Sequence, residues 1–262
     1  MSTAFRTLPG EHRDEEEEEA VATEAPPDSR HWVFRFYGST VGKKWVMAIT
    51  GILLMGYVVA HMVGNLKVFL PPIDGVPDVD IYAEWLRELL VPLLPHTAAL
   101  WIMRVGLIVA TVLHVEAMVS LTRRNMAAKP ERYHKQDFQA ATYAARTMRF
   151  TGPVVLAFVV FHLLDLTFGV APFNPDFIKG EVAHNLVASL SRAGWVAFYV
   201  VANVALGYHL WHGAWSMFQS LGWNSPRFNT ARKRFAQAFT IVVVGGNIAI
   251  VAAIYFGFAP VL

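Results

Sequence analysis

Five apolar runs in the sequence are each long enough to cross a lipid bilayer, and they limit the fold more than any other feature. A membrane-spanning helix needs about 20 consecutive apolar residues. The runs cover residues 45–70, 97–121, 150–171, 193–221 and 236–258. Because 55% of the residues are hydrophobic and only 16% are charged, the apolar excess favours burial in lipid. We predict an all-α integral membrane protein whose five transmembrane helices form an up-down bundle within residues 31–262.

The first 30 residues have a different character. An acidic run from Asp14 to Glu19 precedes Pro26 and Pro27, and such a segment buries too little apolar surface to offset the entropy of folding. It also lacks the apolar stretch of a cleavable signal peptide. We predict a disordered acidic tail over residues 1–30, with no role assigned by the sequence.

The absence of cysteine and the placement of the basic residues exclude several functions. With no cysteine in the chain, a disulfide or a thiolate metal site would need cysteines from a partner. The net charge is +2, but the basic residues lie between apolar runs and form no continuous patch. Nucleic acid is therefore not an expected partner.

The charges between the runs predict how the chain crosses the membrane. Basic loops tend to stay on the cytoplasmic side, here called the inner side. The segments between runs two and three and between runs four and five are basic, containing Arg123, Arg124, Lys129, Arg132, Lys135, Arg146 and Arg149, and Arg227, Arg232, Lys233 and Arg234, respectively. The segment 71–96 has five acidic residues and a single arginine, Arg87. We predict that the N-terminus is inside and the C-terminus outside.

The first four apolar runs each contain histidine, a costly and usually functional residue in lipid. At a rise of 1.5 Å per residue, His61 and His162 lie roughly 24 and 18 Å from the inner edge. His114 and His209 lie roughly 24–26 Å from the outer edge. The histidines therefore form two layers, and each layer draws on two non-consecutive helices. His212 follows His209 on the same helix.

Two imidazoles facing each other across a bundle are the arrangement that bis-histidine haem ligation needs. Glycines near these histidines, such as Gly56 and Gly106, would leave room for the flat macrocycle. The same glycines also suit close helix packing, and a buried histidine can be a hydrogen-bonded interior residue. The four matched positions favour metal ligation.

Two further polar residues lie within the runs. Arg104, near the outer end of the second run, could pair with a haem propionate or an outer acid, or extend to the lipid headgroups. Asp165, three residues after His162, could orient an imidazole as a hydrogen-bond acceptor or form part of a proton path.

Four sequence segments together resemble the single-chain, five-helix cytochrome b subunits of succinate dehydrogenase and fumarate reductase. The first joins residues 39–51 to 61–66, reading STVGKKWVMAITG and HMVGNL. The second reads LTRRN at 121–125, followed by Lys129, Pro130 and Tyr133. The third joins FTGP at 150–153 to FHLLD at 161–165, and the fourth is HLWHGAWSMFQSLG at 209–222. The resemblance extends over about residues 37–258.

The resemblance implies a multi-pass anchor in the bacterial cytoplasmic membrane, surrounded by lipid. Such an anchor binds the flavoprotein and iron–sulfur subunits of respiratory complex II on its inner face. Electrons from succinate, a tricarboxylic acid cycle intermediate, would pass to a membrane quinone, or run in reverse. Up to two haem b groups are implied, a proximal one on His114 and His209 and a distal one on His61 and His162. His212 is a candidate substitute for His209, and the whole complex could form a higher oligomer.

A quinone site needs an apolar slot, donors for two carbonyl oxygens and a proton supply. The inner end of the bundle offers Ser39, Lys43, His212 and Trp215, chosen by position and chemistry. Ser39 could instead cap a helix and Lys43 could anchor at the headgroups.

Three alternatives stay open. Two histidines of this chain and two cysteines of the iron–sulfur partner would also suit a Rieske-type 2Fe-2S cluster. The chain could be the cytochrome b subunit of another membrane oxidoreductase, of the formate dehydrogenase or hydrogenase type. A proton-coupled transporter is the third alternative, but it predicts repeated halves or discontinuous helices, and the sequence shows neither.

Overall fold

The protein is described by a computed structural model that covers residues 31–128, 141–223 and 225–260. The described residues are mostly helical and contain no strand beyond an isolated bridge between Ile73 and Val76. We number the α-helices α1 to α8: Trp32–Gly38, Thr40–Asn65, Asp78–Arg87, Ala98–Ala127, Ala141–Leu166, Val182–Leu190, Ala193–Ser220 and Asn229–Tyr255. The acidic tail predicted at residues 1–30 lies outside the described residues.

Five of these helices, α2, α4, α5, α7 and α8, are long and apolar enough to cross a membrane. The prediction of an all-α protein with five transmembrane helices is thus confirmed. The third spanning segment is shorter than predicted, since α5 ends at Leu166 and not at residue 171. Gly169 has a positive φ of 60°, a backbone conformation that ends a helix and favours glycine.

The chain enters the first spanning helix through a tight corner between α1 and α2. The Ser39 hydroxyl accepts a hydrogen bond from the Gly42 N–H at 2.9 Å and donates one to the Phe36 carbonyl at 2.7 Å. This is N-cap geometry, which satisfies a backbone donor at the start of a helix. A Cβ on Gly42 would lie 1.9 Å from the Phe36 oxygen, so the corner requires glycine there.

The five spanning helices differ in how many neighbours they have. Helix α2 packs against α4, α7 and α8, and α7 packs against α2, α5 and α8. Helix α4 packs chiefly against α2 through a face of small residues that includes Ala99, Ala110 and Ala117. Within the described residues α4 has no extensive backbone contact with α5 or α7. Space is therefore left between α4 and the second half of the bundle.

Two short helices, α3 and α6, close the predicted outer end. Neither was predicted from the sequence. The Asp80 carboxylate accepts a hydrogen bond from the Ala183 N–H at 3.0 Å, which joins the start of α6 to α3. Lys67 forms a 2.6 Å ion pair with Asp78. The Asn185 amide forms two hydrogen bonds with the backbone of Ile178.

The best-packed part of the protein lies toward this outer end. The main cluster of buried apolar side chains includes Met62, Val79, Leu186, Leu190 and Ile254. Helix α4 exposes large apolar residues, including Trp101, Ile102, Ile108 and Val112, as expected of a surface that faces lipid chains. The main buried cluster therefore lies on the side of α6, α7 and α8, and α4 is largely exposed.

The predicted orientation can be measured because the natural chain has no cysteine. We expect Asp74→Cys, in the acidic segment after α2, to react with a membrane-impermeant maleimide added to intact cells. Arg227→Cys, between α7 and α8, should react only after lysis. Labelling in the opposite pattern would contradict the orientation.

Candidate functional site

His61 of α2 and His162 of α5 face each other inside the bundle, with ring centroids 5.7 Å apart. Tyr57 and Phe158 pack beside them, at 5.6 Å from His61 and 5.7 Å from His162, respectively. We call this the outer pair, because it lies in the half of the bundle next to α3 and α6.

His114 of α4 and His209 of α7 form a second pair, with ring centroids 6.3 Å apart. We call this the inner pair. Among the residues that the structure describes, no other ring contact joins α4 to α7. The structure thus brings together the same two pairs that the sequence places at matching depths.

Both distances suit two imidazoles that bind one metal atom from opposite sides. With metal–nitrogen bonds of about 2 Å, the ring centroids of two such ligands lie roughly 6 Å apart. In the part of the chain that the structure describes, no three His, Asp or Glu side chains converge as a conventional metal site would require. A pair is sufficient for haem, because the porphyrin supplies the remaining ligands.

Glycines create space beside the inner pair. A Cβ on Gly51 would lie 3.4 Å from Cε1 of His114, and a Cβ on Gly152 would lie 3.8 Å from Cε1 of His209. At Gly106 and Gly213 a Cβ would meet nothing within 4 Å, whereas at Gly207 it would press on Val244 at 3.2 Å. The glycines thus differ in their surroundings: Gly106 and Gly213 leave open space, and Gly207 allows close packing against Val244.

Three of the four paired histidines have a hydrogen-bond partner at Nδ1. Thr50 Oγ1 lies 3.1 Å from Nδ1 of His114 and also donates to the Val46 carbonyl at 2.7 Å. The Asn65 side-chain amide lies 2.9 Å from Nδ1 of His61. Such partners orient a ring and direct its other nitrogen, Nε2, toward a ligand site.

The third partner belongs to a buried polar cluster at the outer pair. The Tyr199 hydroxyl lies 3.2 Å from Nδ1 of His162 and donates to Asp165 Oδ2 at 2.7 Å. Ser189 donates to the same carboxylate oxygen at 2.6 Å, and Arg192 Nη2 lies 3.7 Å from Oδ1. Asp165 is 0% exposed. Asp165 is thus linked to His162 through the Tyr199 hydroxyl and not by a direct hydrogen bond. Nothing in the sequence indicated this tyrosine's role.

Several buried polar atoms near the inner end have no hydrogen-bond partner in the described structure. They include His209 Nδ1, His212 Nδ1, Trp215 Nε1 and Thr151 Oγ1. The rings of His212 and Trp215 have centroids 6.3 Å apart. Because an unpaired buried donor or acceptor costs about 1–3 kcal/mol, these atoms mark a place where a polar ligand would gain bonds.

Ser39 and Lys43, the other two quinone candidates, are engaged elsewhere. Ser39 is the N-cap of α2, as described above. Lys43 is 4% exposed; its ammonium donates to both carboxylate oxygens of Glu116 at 2.6 Å and lies 3.5 Å from the Tyr37 ring centroid. Tyr37 donates to Glu116 as well, at 2.6 Å. Glu116 therefore joins α4 to α2.

Two other features lie along α4. A groove of about 680 Å³ runs between α4 and α5 at the inner half, lined by Glu116, Arg123 and Leu156 among others. Toward the opposite end, the Arg104 guanidinium lies over the Trp101 ring at 5.1 Å. Arg104 thus lies over an aromatic ring, and its predicted pairing with a propionate or an acid stays a prediction.

Comparison with protein families gives one match. Residues 120–249 match the model of a family described as succinate dehydrogenase/fumarate reductase transmembrane subunit. The matched segment contains α5, α6, α7 and most of α8, and therefore His162, His209 and His212. No curated protein and no solved structure matches the chain.

The buried Lys43 should make Glu116 important for stability. We expect Glu116→Leu to lower the stability of the purified protein by about 1–3 kcal/mol, because the Lys43 ammonium loses its acceptor. Partial exposure of Glu116 keeps the loss below that of a fully buried pair. Thermal unfolding in detergent measures it.

The control is Glu84→Leu, since Glu84 is 52% exposed and pairs with Arg87 on the surface; its effect on stability should be much smaller, because solvent screens an exposed ion pair. Adding Lys43→Met to Glu116→Leu should restore most of the loss. If the double variant were no more stable than Glu116→Leu, the ion pair would not be the cause.

Proposed function

Since the chain belongs to the succinate dehydrogenase/fumarate reductase transmembrane subunit family, we propose that it passes electrons from an iron–sulfur partner subunit to a membrane quinone. Oxidation of succinate would occur in a flavoprotein partner. Both partners would bind the inner face, where the basic segments lie, in a bacterial cytoplasmic membrane. The observation that carries the proposal is the presence of two imidazole pairs at two levels of one bundle.

We propose haem b as the cofactor of both pairs, held by His61 and His162 at the outer level and by His114 and His209 at the inner one. Its iron can change oxidation state without leaving the site, which supplies electron transfer. Three observations support the fit: the pair distances, the glycines beside the inner pair, and the Nδ1 partners of His114 and His162.

The chain's own residues would prepare these pairs in two ways. Hydrogen bonds at Nδ1 hold the rings of His114 and His162 in fixed orientations, so little entropy is lost on ligation. The surrounding apolar side chains and lipid exclude water, which favours neutral imidazole over imidazolium. Neutral imidazole is the form that binds a metal.

The quinone would bind at the inner end, beside His212 and Trp215. Trp215 Nε1 can donate only, and His212 can donate or accept. Both would donate to quinone carbonyl oxygens, and His212 would also relay a proton. Both side chains have a buried nitrogen without a partner. Ser39 is hydrogen-bonded to Phe36 and Gly42, and Lys43 is bonded to Glu116. We therefore assign neither of them a direct bond to the quinone.

The alternative cofactor is a Rieske-type 2Fe-2S cluster, with two histidines from this chain and two cysteines from the iron–sulfur subunit. The inner pair is the one within reach of that partner in the predicted orientation. The flavoprotein and iron–sulfur subunits also separate this proposal from a formate dehydrogenase or hydrogenase, which would purify with molybdenum or nickel subunits.

Haem content tests the histidine pairs. In the purified complex we expect reduced-minus-oxidised haem bands, and each of His61→Gln, His162→Gln, His114→Gln and His209→Gln should remove one haem and leave the other. The control His96→Gln, at an exposed outer position, should keep both. If His212→Gln and not His209→Gln removed the inner haem, the inner ligand would be His212, one turn along α7.

Complete absence of haem bands in the natural complex would overturn the haem proposal. An electron paramagnetic resonance signal of a histidine-ligated 2Fe-2S cluster would then favour the alternative. A transporter that holds no redox cofactor would show neither signal.

The quinone site is tested with a matched pair of tryptophans on α7. Trp215→Phe removes the indole donor and should raise the KM for a short-chain quinone roughly five- to tenfold, the effect of losing a hydrogen bond worth about 1–1.4 kcal/mol. Trp211→Phe, on a side chain that is 44% exposed, should leave KM unchanged. Succinate oxidation with a soluble dye should be normal in both. Equal KM values in all three proteins would contradict this site.

A further inference from the structure

The hydrogen bonds around Tyr199 have a direction, and that direction fixes a proton on His162. A tyrosine hydroxyl has one proton to donate. Tyr199 donates it to Asp165 Oδ2 at 2.7 Å. Its oxygen, 3.2 Å from Nδ1 of His162, is then left as an acceptor, so the imidazole must donate from Nδ1.

A neutral imidazole with its proton on Nδ1 has a free lone pair on Nε2. We propose that Tyr199 and Asp165 are positioning residues that hold His162 as the Nδ1–H tautomer and so present Nε2 to the ligand site of the outer pair. The inference rests on the proposed function for what Nε2 binds, but the tautomer itself does not depend on any cofactor.

Asp165 has two hydroxyl donors on one carboxylate oxygen. Ser189 donates to Asp165 Oδ2 at 2.6 Å, beside the bond from Tyr199, and Arg192 Nη2 lies 3.7 Å from Oδ1. The carboxylate is fully buried, and Arg192 supplies a compensating positive charge from a side chain that is 33% exposed. Without such a partner a buried carboxylate would be costly.

Thr50 does the same for the inner pair. Its hydroxyl proton is committed to the Val46 carbonyl at 2.7 Å, so its oxygen accepts from Nδ1 of His114 at 3.1 Å. In each pair, one histidine therefore donates from Nδ1 to a hydroxyl oxygen, because the proton of that hydroxyl is donated to another acceptor. The outer pair differs in having a carboxylate behind the hydroxyl.

The test is solid-state NMR of the whole complex, chemically reduced and labelled with ¹⁵N in the histidine rings, in a His61→Gln parent. This parent should hold no haem at the outer pair, so Nε2 of His162 is free to carry a proton. The His162 signals are identified by their loss in His162→Gln, and we expect the parent to show His162 protonated at Nδ1. In Asp165→Leu the Tyr199 proton has no carboxylate to bind and should turn to Nδ1, so His162 should shift to the Nε2–H tautomer.

Matched variants separate this effect from general damage. Asp165→Asn keeps an oxygen acceptor for Tyr199 and should keep the Nδ1–H tautomer. Tyr199→Phe should give a mixture of tautomers, while Tyr57→Phe, which removes a hydroxyl beside His61, should not. Thr50→Val should change His114 and leave His162 as it is.

Two results would overturn the proposal: His162 protonated at Nε2 in the His61→Gln parent, or the same tautomer in Asp165→Leu as in Asp165→Asn. The parent has no outer haem, so this outcome is independent of haem ligation. If the natural complex has no haem bands and His162 still switches, haem ligation is refuted and the positioning role is kept. In the natural protein a metal on Nε2 would fix the tautomer, and there Asp165→Leu should raise the midpoint potential of the outer haem alone, because the ligand becomes less basic.

Discussion

The bundle depends on holding three buried imidazoles by defined partners in a place where water is excluded. A polar group without a hydrogen bond is expensive in an apolar medium, and a free ring would rotate between neighbours. Thr50, Asn65 and Tyr199 each lie at hydrogen-bond distance from one Nδ1. The opposite nitrogens of these rings are then left to meet a ligand, so the contacts that pack the helices would also orient the proposed redox site.

The sequence predicted the five spanning helices and the pairing of histidines by depth, because both follow from apolar run length and helix rise. It did not predict which hydroxyl meets which ring. Tyr199 and His162 lie on different helices, and their contact depends on how α5 and α7 are rotated about their axes. The sequence also did not predict that Lys43 bonds to Glu116, because that contact depends on the corner between α1 and α2.

The short helices α3 and α6 were missed for a different reason. Each has fewer than three turns and is too short to be stable alone. Each therefore depends on long-range contacts with other parts of the chain. Asp80 caps α6 from a position 103 residues away along the chain. These contacts pack the outer end, and they hold Ser189 of α6 against Asp165, so the outer cap and the outer histidine pair form one continuous structure.

The spacing of the helices also bears on how the protein is assembled. Helix α4 rests chiefly on α2, and a groove separates its inner half from α5. A flat, apolar ring system dissolved in the bilayer could therefore slide in sideways toward His114 and His209 without unfolding the bundle. The outer pair lies beside the main buried cluster, which includes Tyr199, so a ligand there would have to be in place before those side chains pack, whereas the inner pair could be loaded after insertion.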